Sequence, residues 1–343
     1  LHPDAKDLLK ATKFASNLMD MVTLSREPDH IQQKAATLLG TGKFSTFKRA
    51  LAAARVGDFR EKKEYKIGFS VKDRWGIPQS IMRFKKSDNQ LQEVCNLISK
   101  DEELEWFKRR DMNFGQSNIP VYGMAADLAE FLVTYYTPEN GLILDQFSGR
   151  FTIGCAALYH GRSFVGYDLN PKNVERAREV ISKHICSDTS RYKLHDTDGV
   201  SLKEYQGYSE YFDAIVTDPP YVLKAEVYSE DPREIGNLDH NEYMKRIKLN
   251  MERCYELIKT SNFEEKIFHP VIYKVGTGRK GKRGIVDMDT DFQIVAREVG
   301  FVLWDKVTNQ LNTPFKAFNF ERNFLNKYVQ KNYEVNLVFC KFA

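Results

Sequence analysis

The chain has 343 residues, of which 42% are hydrophobic and 29% are charged, a balance typical of a globular protein with a sizeable core. Its net charge of +4, from 51 basic and 47 acidic residues, argues against a protein that binds nucleic acid through charge alone. No run of about 18 apolar residues occurs, so we expect no membrane span, and the five widely spaced cysteines lack the Cys-x-x-Cys pair of a zinc site.

The charge is distributed unevenly along the chain. Residues 1–114 carry a net charge of +6 and the remaining residues −2, and most of the basic excess lies between Lys43 and Lys86. The composition changes near residues 112–118, which predicts a boundary between a basic accessory domain, 1–112, and a second domain, 113–343. The chain begins Leu-His-Pro and not with Met, which is compatible with a missing upstream segment.

The N-terminal region is predicted to be mostly helical. Apolar periodicity and turn residues predict helices over residues 4–22, 27–39, 44–56, 89–99 and 101–110, and a strand pair over 65–71 and 77–84. The third helix follows a glycine-containing turn and carries Lys48 and Arg49. This pair of helices is either a helix-turn-helix that contacts DNA or a helical hairpin with a solvated basic face.

Strands and helices alternate in the second region. The pattern predicts strands over residues 142–145, 163–168, 212–217, 270–275 and 332–342, and helices over 126–134, 152–160 and 170–183. Asn170 and Pro171 suit the N-cap and the first position of the last of these helices. The alternation predicts a parallel sheet with helices on both faces, and ligands bind at the carboxyl ends of the strands in such sheets.

The segment Asp218-Pro219-Pro220-Tyr221 directly follows the predicted strand 212–217. Two prolines cannot continue a strand, so the chain must turn here and leave a carboxylate, exposed carbonyls and an aromatic ring around one point. The carboxylate and a carbonyl can accept both N–H bonds of an exocyclic amine, while Tyr221 can stack on a flat base. Taken alone, the segment is equally compatible with a Pro-Pro turn capped by Asp218.

Three other predicted strands also end in acidic residues. The segment DQFSGRFT starts at Asp145, and its Gly149 allows a cofactor to approach the backbone closely. Asp168 ends the next strand, where a ribose diol can be held, and Asp196 follows on the same rim. Each signal is weak alone, because aspartate often caps a helix, but four in order predict a cofactor site.

Together these segments resemble the catalytic domain of S-adenosylmethionine-dependent DNA amino-methyltransferases, which methylate adenine N6 or cytosine N4. The resemblance covers roughly residues 115 to 343, and the stretch 119–125 is similar to the family's cofactor-side motif. It implies a Rossmann-like fold and a flipped base held by Asp218, Pro219, Pro220 and Tyr221. It also implies that S-adenosyl-L-methionine is bound by Asp145, Phe147, Ser148, Gly149, Thr152, Asp168 and Asp196, with Asp198 as an alternative to the last.

Two positions depart from the family's motif. Gln146 replaces a proline, and Phe151 stands where a second glycine is usual. Phe151 either crowds the cofactor or points into the interface between sheet and helices. The order of the motifs resembles the class whose specificity region follows the catalytic domain, yet the sizeable extra region here is N-terminal, so we assign DNA recognition to residues 1–112.

Further basic segments are candidates for DNA contact. Besides Lys48 and Arg49, the predicted contacts are those of a glycine-rich loop after the strand 270–275: Arg279, Lys280, Lys282 and Arg283. The alternative is an ordinary solvated loop. The aromatic and basic stretch 312–331 is either a wedge into DNA or a hairpin packed on the sheet. His195 and His240 lack partners at metal-ligand spacing, so no metal is expected.

The sequence therefore predicts a cytoplasmic DNA methyltransferase, encoded by a bacterium, an archaeon or a phage, of the kind found in restriction-modification. The predicted target is adenine N6 in double-stranded DNA, because within the resembled family an aspartate before Pro-Pro-Tyr favours adenine. Three alternatives stay open: a cytosine-N4 DNA methyltransferase, a tRNA guanine-N2 methyltransferase and a catalytically silent DNA-binding subunit. The oligomeric state is not predicted.

Overall fold

The structure is a computed structural model, and the residues it describes are 3–10, 18–27, 29–40, 47, 50, 51, 54, 81, 82, 84, 90–98, 124–222, 231–276, 278, 279, 285–310 and 333–342. Contacts divide the chain into two compact units, Leu1–Lys66 and Ile67–Ala343. The predicted boundary between functional domains at residues 112 and 113 stays a prediction.

The smaller unit is helical in its described part. It contains α1 (Pro3–Lys10), α2 (Leu18–Ser25) and α3 (Asp29–Gly40), and α1 packs against α3. Four residues of the predicted third helix are helical and buried: Phe47, Ala50, Leu51 and Ala54. Their spacing of three and four residues gives that helix one apolar face. Most of its predicted basic face lies outside the described residues.

The larger unit contains ten strands and six helices in its described residues. The strands are β1 (Ile81–Met82), β2 (Leu142–Asp145), β3 (Ser163–Tyr167), β4 (Tyr192–His195), β5 (Ala214–Thr217), β6 (Pro270–Gly276), β7 (Gly278–Arg279), β8 (Ile285–Val286), β9 (Val302–Gln310) and β10 (Tyr333–Cys340). The helices are α4 (Gln90–Ile98), α5 (Ala126–Tyr136), α6 (Thr152–Tyr159), α7 (Pro171–His184), α8 (His240–Leu257) and α9 (Met288–Val299).

Eight strands form one sheet in the order β1-β9-β10-β6-β5-β2-β3-β4, while β7 and β8 form a separate hairpin. The strands β2 to β6 pair with one another in parallel, as predicted. Strand β10 is antiparallel to both β6 and β9, an orientation that the sequence pattern did not predict. The chain leaves β2 towards β3 on one side and reaches β5 on the other, which places a topological switch point between β2 and β5.

Helices cover both faces of this sheet, because neighbouring residues of a strand point to opposite sides. In β2, Ile143 packs into the layer that contains α4 to α7, whereas Leu144 packs into the layer that contains α8 and α9. Both side chains are fully buried. The predicted Rossmann-like sheet with helices on both faces is confirmed.

Helix α4 belongs to the larger unit, although the predicted accessory domain includes its residues. The Gln92 side chain accepts a hydrogen bond from the Ala126 amide at 2.9 Å, and Arg176 Nε donates to the Leu97 carbonyl at 3.1 Å. All five cysteines of the chain are free and buried. Within the described ranges, no helix is long and apolar enough to cross a membrane, and no three acidic, histidine or cysteine side chains form a metal site.

Candidate active site

Four carboxylates lie at the carboxyl ends of neighbouring strands. Asp145 ends β2, Asp168 follows β3, Asp196 follows β4 and Asp218 follows β5. Because these strands are parallel and adjacent in the order β5-β2-β3-β4, their ends form one rim of the sheet. Asp145 and Asp218 stand on the two sides of the switch point, where sheets of this type bind ligands.

Asp145 is almost completely buried, with 1% of its surface exposed. Its Oδ1 accepts hydrogen bonds from Thr217 Oγ1 at 2.7 Å and from the Phe147 amide at 3.1 Å. Burial, together with the smaller effect of the Asp218 charge, raises the pKa of Asp145 to about 7, because the hydrogen bonds only partly offset the lost hydration. This carboxyl group therefore exchanges its proton near neutral pH.

The turn after β2 exposes backbone to the rim. Ser148 fixes the turn, since its amide donates to the Tyr167 carbonyl at 2.8 Å and its Oγ donates to the Asp145 carbonyl at 3.1 Å. Gly149 follows with a φ of +50°, which favours glycine, and the position of a Cβ there faces open space. Its amide donates to Asp168 Oδ2 at 2.9 Å, so the turn and the second carboxylate form one unit.

Local hydrogen bonds orient Asp168. Its Oδ1 accepts from the Asn170 amide at 2.9 Å and from Asn173 Nδ2 at 3.3 Å. Asn170 in turn caps α7, accepting from the Lys172 amide at 3.0 Å, with Pro171 as the first helical residue. The predicted cap is confirmed, and it holds the carboxylate against the glycine turn.

The side chains of the two residues that depart from the resembled motif are buried inside the protein. Phe151 has a φ of +55° and is fully buried in the core between sheet and helices, next to Thr152. A Cβ on Gly166 would lie 2.9 Å from Cε1 of the Phe151 ring. Gln146 is 1% exposed, and its Nε2 donates to Cys254 Sγ on α8. Of the two predicted positions of Phe151, the structure has the one in the sheet–helix interface.

The two candidate carboxylates after β4 differ in their surroundings. Asp196 is exposed, whereas Asp198 Oδ2 accepts a hydrogen bond from Arg246 on α8 at 3.0 Å. His195 stacks on Tyr167 with ring centroids 4.6 Å apart, and burial lowers its pKa. The ring of His195 therefore packs at the sheet edge, and Asp196 presents its carboxylate beside it.

A buried lysine that the sequence analysis did not single out meets the segment after β5. The Lys274 side chain is 5% exposed, and its Nζ lies 2.9 Å from Asp218 Oδ2, 2.8 Å from Glu334 Oε1 and 2.9 Å from Tyr221 Oη. Burial alone lowers the pKa of a lysine, but the charges of Asp218 and Glu334 outweigh it, and the pKa of Lys274 is raised. The ammonium group is therefore charged.

The Tyr221 ring is held between two strands. A Cβ on Gly276, at the end of β6, would lie only 2.8 Å from Cε2 of this ring, so the contact requires glycine. Tyr221 Oη donates to Glu334 Oε1 on β10 at 3.1 Å. Lys274 Nζ lies 5.4 Å from the ring centroid, within the range of a cation–π contact.

Helix α8 adds polar groups behind this rim that no sequence motif indicated. Tyr243 is fully buried, and burial followed by the charges of Asp218 and Glu234 raises its pKa. Its hydroxyl has no hydrogen-bond partner in the described part of the chain. Asn250 accepts a hydrogen bond from Tyr273 Oη at 2.7 Å.

Of the six predicted DNA contacts, only Arg279 lies within the described residues. Five of them lie outside the described residues: Lys48, Arg49, Lys280, Lys282 and Arg283. Arg279 lies in β7, which pairs antiparallel with β8 directly after β6. The aromatic stretch 312–331 also lies outside the described residues.

A protein-family model matches a part of the chain that holds two of the four rim carboxylates. Residues 59–179 match the family model described as DNA methylase (N6_N4_Mtase). The match confirms the predicted family resemblance, the methyltransferase class and S-adenosyl-L-methionine as the cofactor. It covers about a third of the chain, includes Asp145, Gly149 and Asp168, and ends before Asp196 and Asp218.

Solved methyltransferase structures are also similar to this chain, while no curated protein sequence matches it. TrmN from Thermus thermophilus is 15% identical with a TM-score of 0.40, over 64% of this chain and 48% of its own. A TehB-like SAM-dependent methyltransferase from Corynebacterium glutamicum is 20% identical with a TM-score of 0.38, over 69% and 97%. A candidate RNA methyltransferase from Pyrococcus horikoshii is 14% identical with a TM-score of 0.41, over 74% and 99%. At TM-scores below 0.5, these likenesses do not bear on the substrate.

Proposed function

We propose that the protein is a site-specific DNA methyltransferase that transfers a methyl group from S-adenosyl-L-methionine to adenine N6 of a base flipped out of double-stranded DNA. One observation carries the proposal: Asp145 of the cofactor motif and Asp218 of the Asp-Pro-Pro-Tyr segment end adjacent strands at the switch point of the sheet. Cofactor and base would then meet across the gap between β2 and β5.

The residues at the end of β2 fit the cofactor. The open space beside Gly149 leaves room for a ligand, and the buried Asp145 supplies an acceptor for its ammonium group. We assign the methionine part to Asp145, Phe147, Ser148, Gly149 and Thr152, the ribose to Asp168 and the adenine side to Asp196. Asp196 is preferred to Asp198 because Arg246 already binds the latter. When bound, the cofactor supplies a methyl group on a positively charged sulfur.

The segment after β5 would bind and orient the target base. The Asp218 carboxylate and the Pro219 carbonyl accept the two N–H bonds of the exocyclic amine, which favours a pyramidal nitrogen with its lone pair directed at the methyl group. Pro220 fixes the turn, and Tyr221 stacks on the base, an interaction worth roughly 1–3 kcal/mol. Extruding the base costs a few kcal/mol, which these contacts offset.

The proton balance assigns a second role to Asp218. The amine nitrogen forms its bond to the methyl carbon as the carbon–sulfur bond breaks, and the nitrogen then carries a positive charge. It loses one proton, which Asp218 accepts directly or passes to water. The ordering of acceptor, ring and cofactor in a site with little water lowers the barrier by several kcal/mol.

Of the three alternatives, one loses its motivation and two remain outcomes of the test. The catalytically silent subunit was suggested by Gln146 and Phe151, and both side chains are buried in packing contacts. Cytosine-N4 and tRNA guanine-N2 methylation differ from the proposal in substrate and not in the residues used.

The basic regions would supply the contacts to DNA. We propose that residues 1–112 recognise the sequence and that residues 113–343 catalyse the transfer. The phosphate contacts assigned to the two regions are Lys48, Arg49, Arg279, Lys280, Lys282 and Arg283. A cytoplasmic location would follow from this substrate.

Transfer of labelled methyl groups from S-adenosyl-L-methionine to duplex DNA and to tRNA tests the proposal, followed by methylation-sensitive sequencing of the DNA. We expect label in DNA, methylated adenine in one sequence context, and a loss of activity in Asp218→Ala that the exposed control Asp188→Ala does not show. Label in tRNA alone would support the RNA alternative. Full activity in Asp218→Ala would refute the mechanism, and no binding of the cofactor would support the silent subunit.

A further inference from the structure

Lys274 has all of its hydrogen-bonding capacity used inside the protein. An ammonium group has three N–H donors, and Nζ has three acceptors at 2.8 to 2.9 Å: Asp218 Oδ2, Glu334 Oε1 and Tyr221 Oη. The side chain is 5% exposed. Lys274 therefore does not read a base itself, and any effect it has on the reaction must pass through the groups that it holds.

The strand register brings the lysine and its second carboxylate together. Lys274 on β6 lies opposite Asn336 on β10, and Glu334 lies opposite Gly276. Lys274 and Gly276 are two residues apart and face the same side of the sheet, so Glu334 is the diagonal neighbour of Lys274 on that side. The antiparallel β10 thus delivers a carboxylate to the end of β6, next to the segment that follows β5.

The same contacts fix both functional parts of that segment. Lys274 binds the Asp218 carboxylate, which would accept the amine, and the Tyr221 hydroxyl, whose ring would stack on the base. Tyr221 also donates to Glu334, so its hydroxyl is held both as acceptor and as donor. The acceptor and the ring are consequently locked to each other through one ammonium group and one carboxylate.

A purely stabilising role is a poor explanation for this cluster. Buried ion pairs contribute little to stability compared with apolar packing, since desolvation offsets most of the attraction. Lys274 instead joins two carboxylates and a phenol hydroxyl from three parts of the chain in a largely buried position. Titratable groups clustered in this way are typical of functional sites, where an oriented acceptor is needed.

We propose that Lys274 and Glu334 are positioning residues for methyl transfer, which fix the Asp218 carboxylate and the Tyr221 ring in the arrangement that the flipped base requires. The proposal rests on the proposed function. Neither residue would touch the cofactor, whose contacts are assigned to the ends of β2, β3 and β4. Removal of either residue should therefore slow the transfer and leave cofactor binding intact.

The charge balance predicts an effect of pH. The groups around Asp218 are Lys274 on β6, Glu334 on β10, Asp145 on β2, Tyr243 on α8 and Tyr221 in its own segment. Lys274 is the cation in this set, and its removal takes away a positive charge that lies 2.9 Å from Asp218 while the neighbouring carboxylates stay in place. Asp218 would then bind a proton at higher pH, so the acidic limb of the rate profile should move to higher pH.

The experiment uses four variants of the full chain: Lys274→Met, Glu334→Gln, the two combined, and Lys248→Met as a control in an exposed ion pair with Glu298. Single-turnover transfer of labelled methyl groups to duplex DNA is measured from pH 5.5 to 9, beside calorimetric binding of S-adenosyl-L-methionine and thermal unfolding. We expect Lys274→Met to lower the rate at pH 7 about 100-fold, with cofactor affinity within about twofold of the wild type. The loss of rate in Lys274→Met should become smaller as the pH rises.

The double variant separates positioning from general damage. Lys274→Met removes one positive charge beside Asp218 and Glu334→Gln removes one negative charge, so the double variant restores the net charge of the wild type and should recover about tenfold of the lost rate. A uniform loss at every pH without recovery would mean that the cluster is only structural and would refute the proposal, as would a wild-type rate in Lys274→Met. Where Lys274→Met does not fold, Glu334→Gln decides, because it keeps shape and should still slow the transfer about tenfold.

Failure of the function on which the proposal rests has a different signature. A wild type that binds the cofactor and transfers no label to DNA contradicts the proposed function, and the positioning roles fall with it. A wild type that methylates DNA while both single variants keep its rate and pH profile contradicts the positioning roles alone.

Discussion

Cofactor binding should be linked to protonation of Asp145, whose carboxyl group is buried at the end of β2 and has a pKa of about 7. The ammonium group of S-adenosyl-L-methionine, placed beside this carboxylate as proposed, favours the charged form and lowers its pKa in the complex. The proton must then leave when the cofactor binds. The sign is fixed: affinity falls as the pH drops through 7, because the free protein holds the proton more tightly than the complex.

The size of the effect follows from the pKa of Asp145. A group with a pKa of about 7 in the free protein and well below 6 in the complex weakens binding about fivefold between pH 7 and pH 6, or roughly 0.9 kcal/mol. The same linkage releases about 0.9 proton per cofactor bound at pH 6 and about 0.4 at pH 7. Measurements are kept at or below pH 7, because the amino group of the cofactor itself titrates near 7.7–8.0 and takes up a proton on binding at higher pH.

Calorimetry in two buffers of different ionisation enthalpy measures both quantities. Asp145→Asn removes the titrating group at nearly constant shape and should abolish the proton release. Methylthioadenosine is the matched ligand control, because it lacks the ammonium group and should bind with little dependence on pH. An unchanged affinity at pH 6, or equal proton release by the wild type and Asp145→Asn, would refute the placement of the ammonium group beside Asp145.

Three further outcomes are expected. Asp145→Asn should resist urea better than the wild type at pH 8, with an unfolding free energy higher by a few kcal/mol. The difference should vanish near pH 4, because the raised pKa of Asp145 makes its ionisation in the folded state costly only as the pH rises from 4 to 7. Gly276→Ala should push the Tyr221 ring out of place and slow methyl transfer about tenfold, with cofactor affinity retained in calorimetry. Gly166→Ala should lower the melting temperature by several degrees, because its Cβ would lie 2.6 Å from the Phe164 ring, 2.7 Å from Ser148 Oγ and 2.9 Å from the Phe151 ring, and a wild-type melting curve would contradict this packing.

Local signals accounted for much of the fold. The strand 142–145 and the cap formed by Asn170 and Pro171 were predicted because each depends on residues within a few positions. Helix α8 was not predicted, since its apolar residues are diluted by charges on the exposed face and its cap at Asp239 carries no special spacing. The antiparallel direction of β10 depends on the connection from β9, which no local pattern encodes.

In the candidate site, too, the residues in short motifs were predicted and those that depend on contacts between distant strands were missed. Asp145 and Asp218 were found because each sits in a short motif at a strand end. Lys274 and Glu334 were missed because their partnership spans two strands that are 60 residues apart in sequence, and an isolated Lys in a buried strand carries no motif. The fully buried position of Phe151 was one of two options, and no local pattern in the sequence chooses between them.

The two carboxylates at the switch point illustrate how neighbouring groups of one type acquire different tasks. Asp145 is buried and has no cation beside it among the described residues, so it takes up a proton near neutral pH and gains its charge when a cationic ligand arrives. Asp218 has the Lys274 ammonium at 2.9 Å, and this contact favours the carboxylate form before any substrate binds. The first arrangement favours a ligand that brings its own positive charge, and the second favours a neutral amine that needs an acceptor in place. Exchanging the two environments, with a cation beside Asp145 and none beside Asp218, would weaken both interactions.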